Sequence, residues 1–318
     1  MRVVFFGSPE AALPSLARIL RDGHAVELVI TQPDKPAGRG RAVQACPVKI
    51  FAESRGLPVH QPDRIRKDPR SLELLQAIQP DIAVVAAFGQ IMPASIIYLP
   101  RWHTVNVHFS LLPKFRGASP VAWAILAGEK RTGVTIFELN EKMDEGDVLL
   151  WEEMDIREGE TAGELEARLA EAGAGLISET LSRRESMTLI PQDHAAATLA
   201  PKLKKEDGLI RWTEPAGVID RKVRAFTPWP SAFTALGGTR LQLTRGRPLD
   251  GPAVAEPPGR VLSAGKEGLR VSCGQGTVYL VERLKPENKR EMSAADFCRG
   301  AQAKIEAGFD EPGKPEAV

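Results

Sequence analysis

The chain has 318 residues, 43% of them hydrophobic and 26% charged, enough apolar surface for two ordinary domains and too much for a disordered chain. No run of about 18 apolar residues is present to span a membrane, and the apolar start Val3 to Phe6 passes straight into Gly7-Ser8-Pro9-Glu10, as a first strand does and a secretion signal does not. Net charge is only +1, but residues 201–318 carry 20 Lys and Arg against 15 Asp and Glu, while the remainder carries 22 against 26. A basic C-terminal part suits a polyanionic partner, and is also ordinary surface chemistry for that length. A cytosolic protein is expected. Cys46, Cys273 and Cys298 lack the paired spacing of a zinc or redox site, so each reads as a small buried hydrophobe.

Val3 to Phe6, a helical pattern over 10–21 (Leu13, Leu16, Ala17, Leu20) and the run Val26 to Ile30 predict strand, helix, strand. That is a Rossmann-like parallel start, with a ligand expected beyond the carboxyl ends of the strands. Only Gly7 occupies the turn where a dinucleotide site has three glycines, so no close approach of pyrophosphate is expected. The stretch 31–41 is rich in Pro and Gly and carries Lys35, Arg39 and Arg41, with Lys49 soon after. It is expected as an exposed loop, either solvated or matched to phosphate. Helices are expected over 48–55 and 71–79, then a fully apolar strand over 81–87 covered on both faces. In the turn Phe88-Gly89-Gln90-Ile91, Phe88 is either a core aromatic or a platform for a flat ring.

A strand over 104–107 delivers Asn106, His108 and Ser110, which extended backbone would place on one surface. A satisfied strand-edge histidine and a turn-forming asparagine are the plainer alternative. Ser119-Pro120 opens a helix to about 127. Strands are expected over 133–139 and 147–153, and the loop between them carries Glu141, Asp144, Glu145 and Asp147, any one of which could be a hydrated turn residue. Thr161 to Glu164 has the form of a capping box, followed by a long helix with Leu165, Leu169, Ala172, Leu176, Ile177 and Leu181 on one face. The expected organisation is a first domain over 1–184, a surface linker over 185–207 and a second domain over 208–318. Lys202, Lys204 and Lys205 in the linker could grip phosphates or keep a tether soluble. The second domain reads as short strands (209–212, 232–236, 241–245, 260–262, 269–272, 277–284) and a helix over 215–226, which implies a small antiparallel barrel.

Asn106-x-His108-x-Ser110-Leu111-Leu112-Pro113, then Arg116-Gly117 and Pro120, with Asp144-x-Gly146-Asp147 further on, resembles the signature of the folate-dependent formyltransferases. The resemblance implies a catalytic trio of Asn106, His108 and Asp144, with Asp147 structural. It implies tetrahydrofolate contacts at Ser110, Leu111, Leu112 and Pro113, and a pterin pocket lined by Phe88, Gly89, Gln90 and Ile91. Gln32-Pro33-Asp34 through Arg39-Gly40 is similar to the insertion loop of the branch that acts on methionyl-tRNA. That likeness makes Arg39 a tRNA contact, and extends to Arg41 and Lys35. The end of the chain, including Arg224 to Pro230, resembles the oligonucleotide-binding-type barrel of the same branch, for which Lys202, Lys204 and Lys205 are further contacts. The implied activity is formyl transfer from 10-formyltetrahydrofolate to initiator methionyl-tRNA by a monomer without a metal. Ala11-Ala12 and Phe109 depart from the family pattern. Formylation of a small amine, such as a sugar nucleotide or purine precursor, and noncatalytic RNA binding are the alternatives.

Overall fold

Val3, Val4, Phe5 and Phe6 have no exposed surface, so β1 (Arg2–Gly7) is a central strand clothed on both faces, as its unbroken apolar run requires. The computed structural model describes residues 1–37, 42–299 and 308–310. The chain divides into two compact units, each assembled from three stretches. Unit 1 comprises Met1–Pro120, Arg131–Asp155 and Glu166–Pro201; unit 2 comprises Val121–Lys130, Ile156–Leu165 and the chain from Lys202.

After β1, α1 (Leu13–Arg21) returns the chain to β2 (Ala25–Ile30), and the pair β3 (Lys35–Ala37) and β4 (Ala42–Gln44) follows. Next come α2 (Pro47–Ser54), β5 (Val59–His60), α3 (Pro69–Ile78), β6 (Ile82–Ala86), α4 (Ala94–Ile97) and β7 (Thr104–His108). The series continues with α5 (Pro120–Ala127), β8 (Arg131–Glu138), β9 (Val148–Asp155) and α6 (Ala162–Arg183). The sheet of unit 1 has the order β5-β2-β1-β6-β7-β8-β9. Its first five strands are parallel and β8 and β9 antiparallel. The loop expected over 31–41 is partly a two-stranded ladder. Pro36 is tolerated there because, among the described residues, β3 and β4 pair only with each other, so no third strand needs its missing N–H. The capping box before α6 forms: Thr161 N–H donates to Glu164 Oε2 at 2.9 Å, and Glu164 N–H to Thr161 Oγ1 at 3.3 Å.

The stretch expected as a surface linker over 185–207 is instead stitched into unit 1 as far as Ala200. Ile190 exchanges both backbone hydrogen bonds with Val148, Arg116 N–H donates to the Thr198 carbonyl at 2.8 Å, and Ala200 N–H donates to the Arg116 carbonyl at 2.7 Å. These partners lie 42 to 84 positions away in sequence, so no local pattern reports them.

Unit 2 contains α7 (Ala216–Ala225), β10 (Ala232–Leu236), β11 (Thr239–Leu249), β12 (Val261–Gly265), β13 (Gly268–Ser272), β14 (Val278–Pro286), β15 (Met292–Ser293) and α8 (Ala294–Arg299). Its barrel-like antiparallel sheet runs β10-β11-β14-β13-β12, with β15 beside β14. Two register shifts bend β11 where it pairs with β14. Leu241, Leu243, Leu269, Val271, Tyr279 and Val281 fill the inner face with Ile219 and Val223 of α7. The strand expected over 209–212 is not formed beyond one bridge from Leu209 to Phe233. The chain turns there toward α7, and Trp212 is buried with its indole N–H on Thr234 Oγ1 at 3.0 Å. Cys273 lies in this core, and burial pushes its thiol up to about 12, far from a nucleophilic thiolate. Among the described residues no helix is long and apolar enough to cross a membrane.

Candidate active site

Because β2, β1, β6 and β7 are parallel, their carboxyl ends at Ile30, Gly7, Ala86 and His108 share one edge of the sheet. The stretches 31–37, 87–93 and 109–119 leave from that edge, where open parallel sheets bind ligands. Val105 and Val107 are buried, and Asn106 and His108 alternate with them onto the other face. The Asn106 side chain is partly exposed, and its amide bonds to no other described residue.

His108 is 5% exposed and packs edge-on against Phe137, with ring centroids 6.2 Å apart. Its Nε2 lies 3.1 Å from the Phe115 carbonyl, which can only accept, so Nε2 carries the proton and Nδ1 of the neutral ring is bare. Burial pushes the imidazole below its usual range, against the opposing pull of the Asp144 charge and the Phe115 carbonyl, and keeps the ring neutral at pH 7. Nδ1 stands 3.9 Å from Asp144 Oδ2, an electrostatic contact longer than a hydrogen bond. The carboxylate itself accepts from Gly117 N–H at 2.7 Å. Asp144 has φ +54°, a left-handed conformation that costs a non-glycine residue and is held by its surroundings.

Ser110 departs from expectation. β7 ends at His108, the alternation stops, and Ser110 is fully buried with its hydroxyl donating to the Lys114 carbonyl at 2.6 Å. Its own carbonyl accepts from Thr135 Oγ1 at 2.7 Å, and Thr135 Oγ1 accepts from Leu112 N–H at 3.1 Å. Ser110 thus shapes the loop that carries Leu111, Leu112 and Pro113, all partly buried. Phe88 is core: its ring meets Phe6 edge-on at 5.4 Å and is 2% exposed, so it offers no open face for stacking. Its carbonyl accepts from Gln32 Nε2 at 2.8 Å. Gln90 ties this turn to the 62–65 segment through Ile65 N–H and the Pro62 carbonyl, Gly89 has φ +72°, and Ile91 is 73% exposed.

Of the residues expected to touch RNA, Arg39 and Arg41 lie outside the described residues. Lys35 donates its ammonium to Gln32 Oε1 at 2.6 Å, and Lys49 is paired with Asp34 at 2.6 Å. Lys202, Lys204 and Lys205 are exposed on unit 2. Unit 2 also has a cleft of about 1170 Å³ whose walls include Lys130, Arg157, Arg221, Arg245, Arg247 and Lys285. Lys130, Arg157 and Lys285 have no ion-pair partner among the described residues. No group of His, Cys, Asp and Glu suited to a metal occurs among the described residues.

Sequence reasoning assigned no role to two residues that border Asn106, His108 and Asp144. Arg116, 4% exposed, and Gln192, 7% exposed, are joined by bonds from Arg116 Nε (3.1 Å) and Nη2 (2.7 Å) to Gln192 Oε1. A buried guanidinium beside Gly117 was visible as part of the motif; Gln192 carries no local signal at all.

Residues 1–181 match the family model for formyl transferase, and residues 202–302 match the model for the formyl transferase C-terminal domain. Proteins named methionyl-tRNA formyltransferase from Myxococcus xanthus and Citrifermentans bemidjiense are 45% and 42% identical to the chain, covering 94% of it in each case and 95% and 93% of their own lengths. Among solved structures, the fold is similar to WlaRD, a sugar 3N-formyl transferase crystallised with dTDP and 5-N-formyl-THF, with TM-score 0.66, 17% identity, and coverage of 91% of this chain and 99% of that one. It is similar also to HypX from Aquifex aeolicus in complex with tetrahydrofolic acid, with TM-score 0.65, 19% identity, and coverage of 100% of this chain and 50% of that one. With one family model matching more than half its length and relatives 42–45% identical across nearly all of it, this chain belongs to the formyl transferase family.

Proposed function

We propose that the protein transfers a formyl group from 10-formyltetrahydrofolate to the α-amino group of methionine on initiator methionyl-tRNA, acting as a monomer in the cytosol. The observation that carries the chemistry is one register of β7: a partly exposed Asn106 amide with no partner among the described residues, two residues before a buried, neutral His108 backed by Asp144. The names of the 42–45% identical relatives support the acceptor.

The folate supplies an activated formyl carbonyl. The Asn106 amide hydrogens, which no other described residue accepts, are the donors available to the formyl oxygen as negative charge builds on it. Esterification to tRNA lowers the methionine amine below the usual α-amino range of about 7.7 to 8.0, so a neutral nucleophile exists near pH 7. His108 keeps Nε2–H on the Phe115 carbonyl and offers bare Nδ1 as the base for the amine that bonds to the formyl carbon; the proton, favoured there by the Asp144 carboxylate, passes to the folate N10 as its bond to the formyl carbon breaks and tetrahydrofolate leaves. Leu111, Leu112, Pro113 and the exposed Ile91 offer apolar walls to the folate, with Gly89 and Gln90 setting the turn and Ser110 acting through the loop it shapes. The buried Phe88 supports that turn from beneath. Unit 1 carries the chemistry in this reading. The cleft of unit 2, with Lys202, Lys204 and Lys205, supplies cations for the RNA backbone, and Arg39, Arg41 and Lys35 meet the acceptor end.

The test is an acceptor comparison with 10-formyltetrahydrofolate as donor. Formylation of initiator methionyl-tRNA, and none of a dTDP-linked amino sugar, is the expected result. Formylation of the amino sugar alone would keep the chemistry and overturn the acceptor.

A further inference from the structure

Asp144 sits on the 139–147 loop, outside the sheet ladder and in left-handed backbone. The loop is crowded: a Cβ on Gly146 would lie 1.7 Å from the Glu138 carbonyl oxygen, so no side chain fits there. Within the loop Lys142 N–H donates to Asn140 Oδ1 at 3.0 Å, and a further hold comes from elsewhere in the chain. Gln192 Nε2 donates to the carbonyls of Asp144 at 2.9 Å and Gly146 at 2.6 Å, spanning the peptide stretch that aims the carboxylate. Gln192 Oε1 accepts two bonds from Arg116, so both ends of the amide are specified and a flipped amide would set donors against donors. Arg116 is fixed in turn by Glu145 at 3.5 Å and by donation to His194 Nδ1 at 3.0 Å.

Arg116 has neighbours that matter. The Phe115 carbonyl receives His108 Nε2–H, and Gly117 N–H holds Asp144 Oδ2. One tripeptide therefore touches the imidazole with its first residue, Gln192 with its second and the carboxylate with its third. Gln192 closes the circuit by gripping the far side of the Asp144 loop. All of these groups belong to unit 1.

We propose that Gln192 is a positioning residue, which sets the stance of the Asp144 carboxylate against His108 through the Asp144 and Gly146 carbonyls and is itself oriented by Arg116. This rests on the reading that Asp144 serves the reaction. A misplacement of about 1 Å costs about a hundredfold in rate, so the effect belongs in kcat and not in substrate affinity.

The experiment is a double-mutant cycle of Gln192→Leu with Asp144→Asn, measuring kcat and KM for initiator methionyl-tRNA and for 10-formyltetrahydrofolate, with thermal melting of each variant. Gln192→Glu is the second variant: it keeps size and still accepts from Arg116, but cannot donate to the two carbonyls. The expected result is a kcat loss of about tenfold to a hundredfold for both Gln192 variants, with both KM values within about twofold. In the Asp144→Asn background Gln192→Leu should cost less than about twofold more. The same loss in both backgrounds would overturn the proposal, because a general structural defect does not care which side chain position 144 carries. So would wild-type kcat in Gln192→Glu. Full activity of Asp144→Asn alone would remove the underlying reading of Asp144, and is distinguished because it appears before any change at Gln192.

Discussion

Asp144→Asn separates a charge from a shape. Asparagine keeps the volume, and its Oδ1 can still accept from Gly117 N–H, now as a neutral bond. The folding cost is therefore about 1 kcal/mol. What disappears is the negative charge 3.9 Å from His108 Nδ1. At an effective dielectric of about 20, unit charges at that distance attract by about 4 kcal/mol. The ring is neutral at rest because of its burial, so this energy is gained only when Nδ1 takes a proton during the reaction. It lowers the barrier and leaves binding alone, which corresponds to about a thousandfold in rate. The assay is single-turnover formylation of initiator methionyl-tRNA at saturating 10-formyltetrahydrofolate, with KM values and melting measured alongside. A loss of less than about tenfold, with unchanged KM and melting lowered by no more than that folding cost, would refute the reasoning, since the proton would then not reside beside Asp144.

Gly117→Ala should lower both stability and rate: Gly117 has φ +128°, a Cβ would lie 2.5 Å from the Ala200 carbonyl oxygen, and its N–H anchors Asp144. A cost of about 1–3 kcal/mol in urea unfolding is expected, together with a fall in kcat. The depressed His108 imidazole makes stability depend on pH. The unfolded chain, with histidine at its usual 6.5, binds more protons than the native state between the two values, so native stability falls as pH drops below 6.5. His108→Asn should flatten that limb in unfolding measured from pH 5 to 8. Replacing Lys130, Arg157 or Lys285 with Ala removes a cation of the unit 2 cleft that has no ion-pair partner among the described residues. Each should weaken methionyl-tRNA binding and reduce its salt slope by about 0.7 to 0.9, with kcat preserved.

The sheet of unit 1 was legible because its central parallel strands β1 and β6 are apolar on both faces and its helices amphipathic, signals that live within single elements. The capping box at Thr161 and Glu164 formed for the same reason: both its bonds span three residues. The candidate trio came from the resemblance to the formyltransferase signature, where spacing alone left the plainer reading open, and β7 presents Asn106 and His108 as period-two alternation requires. That rule failed two residues later at Ser110, where the backbone leaves extended conformation and turns the hydroxyl inward. Phe88 was ambiguous since a ring suits a core and a pocket equally well, and only its edge-on packing on Phe6 decided it. Gln192 was invisible. Its partners at 116, 144 and 146 are brought to it by tertiary structure alone, in a stretch whose prolines and lysines read as a tether.

The most direct test of the account is formyl transfer from 10-formyltetrahydrofolate to initiator methionyl-tRNA in a single turnover, comparing wild type with Asn106→Ala and His108→Ala. The account predicts N-formylmethionyl-tRNA from wild type, a rate lower by about a hundredfold to a thousandfold for Asn106→Ala, and a comparable or larger loss for His108→Ala, with donor affinity retained in both. Wild-type rates in either variant would contradict the assignment of the chemistry to this register of β7.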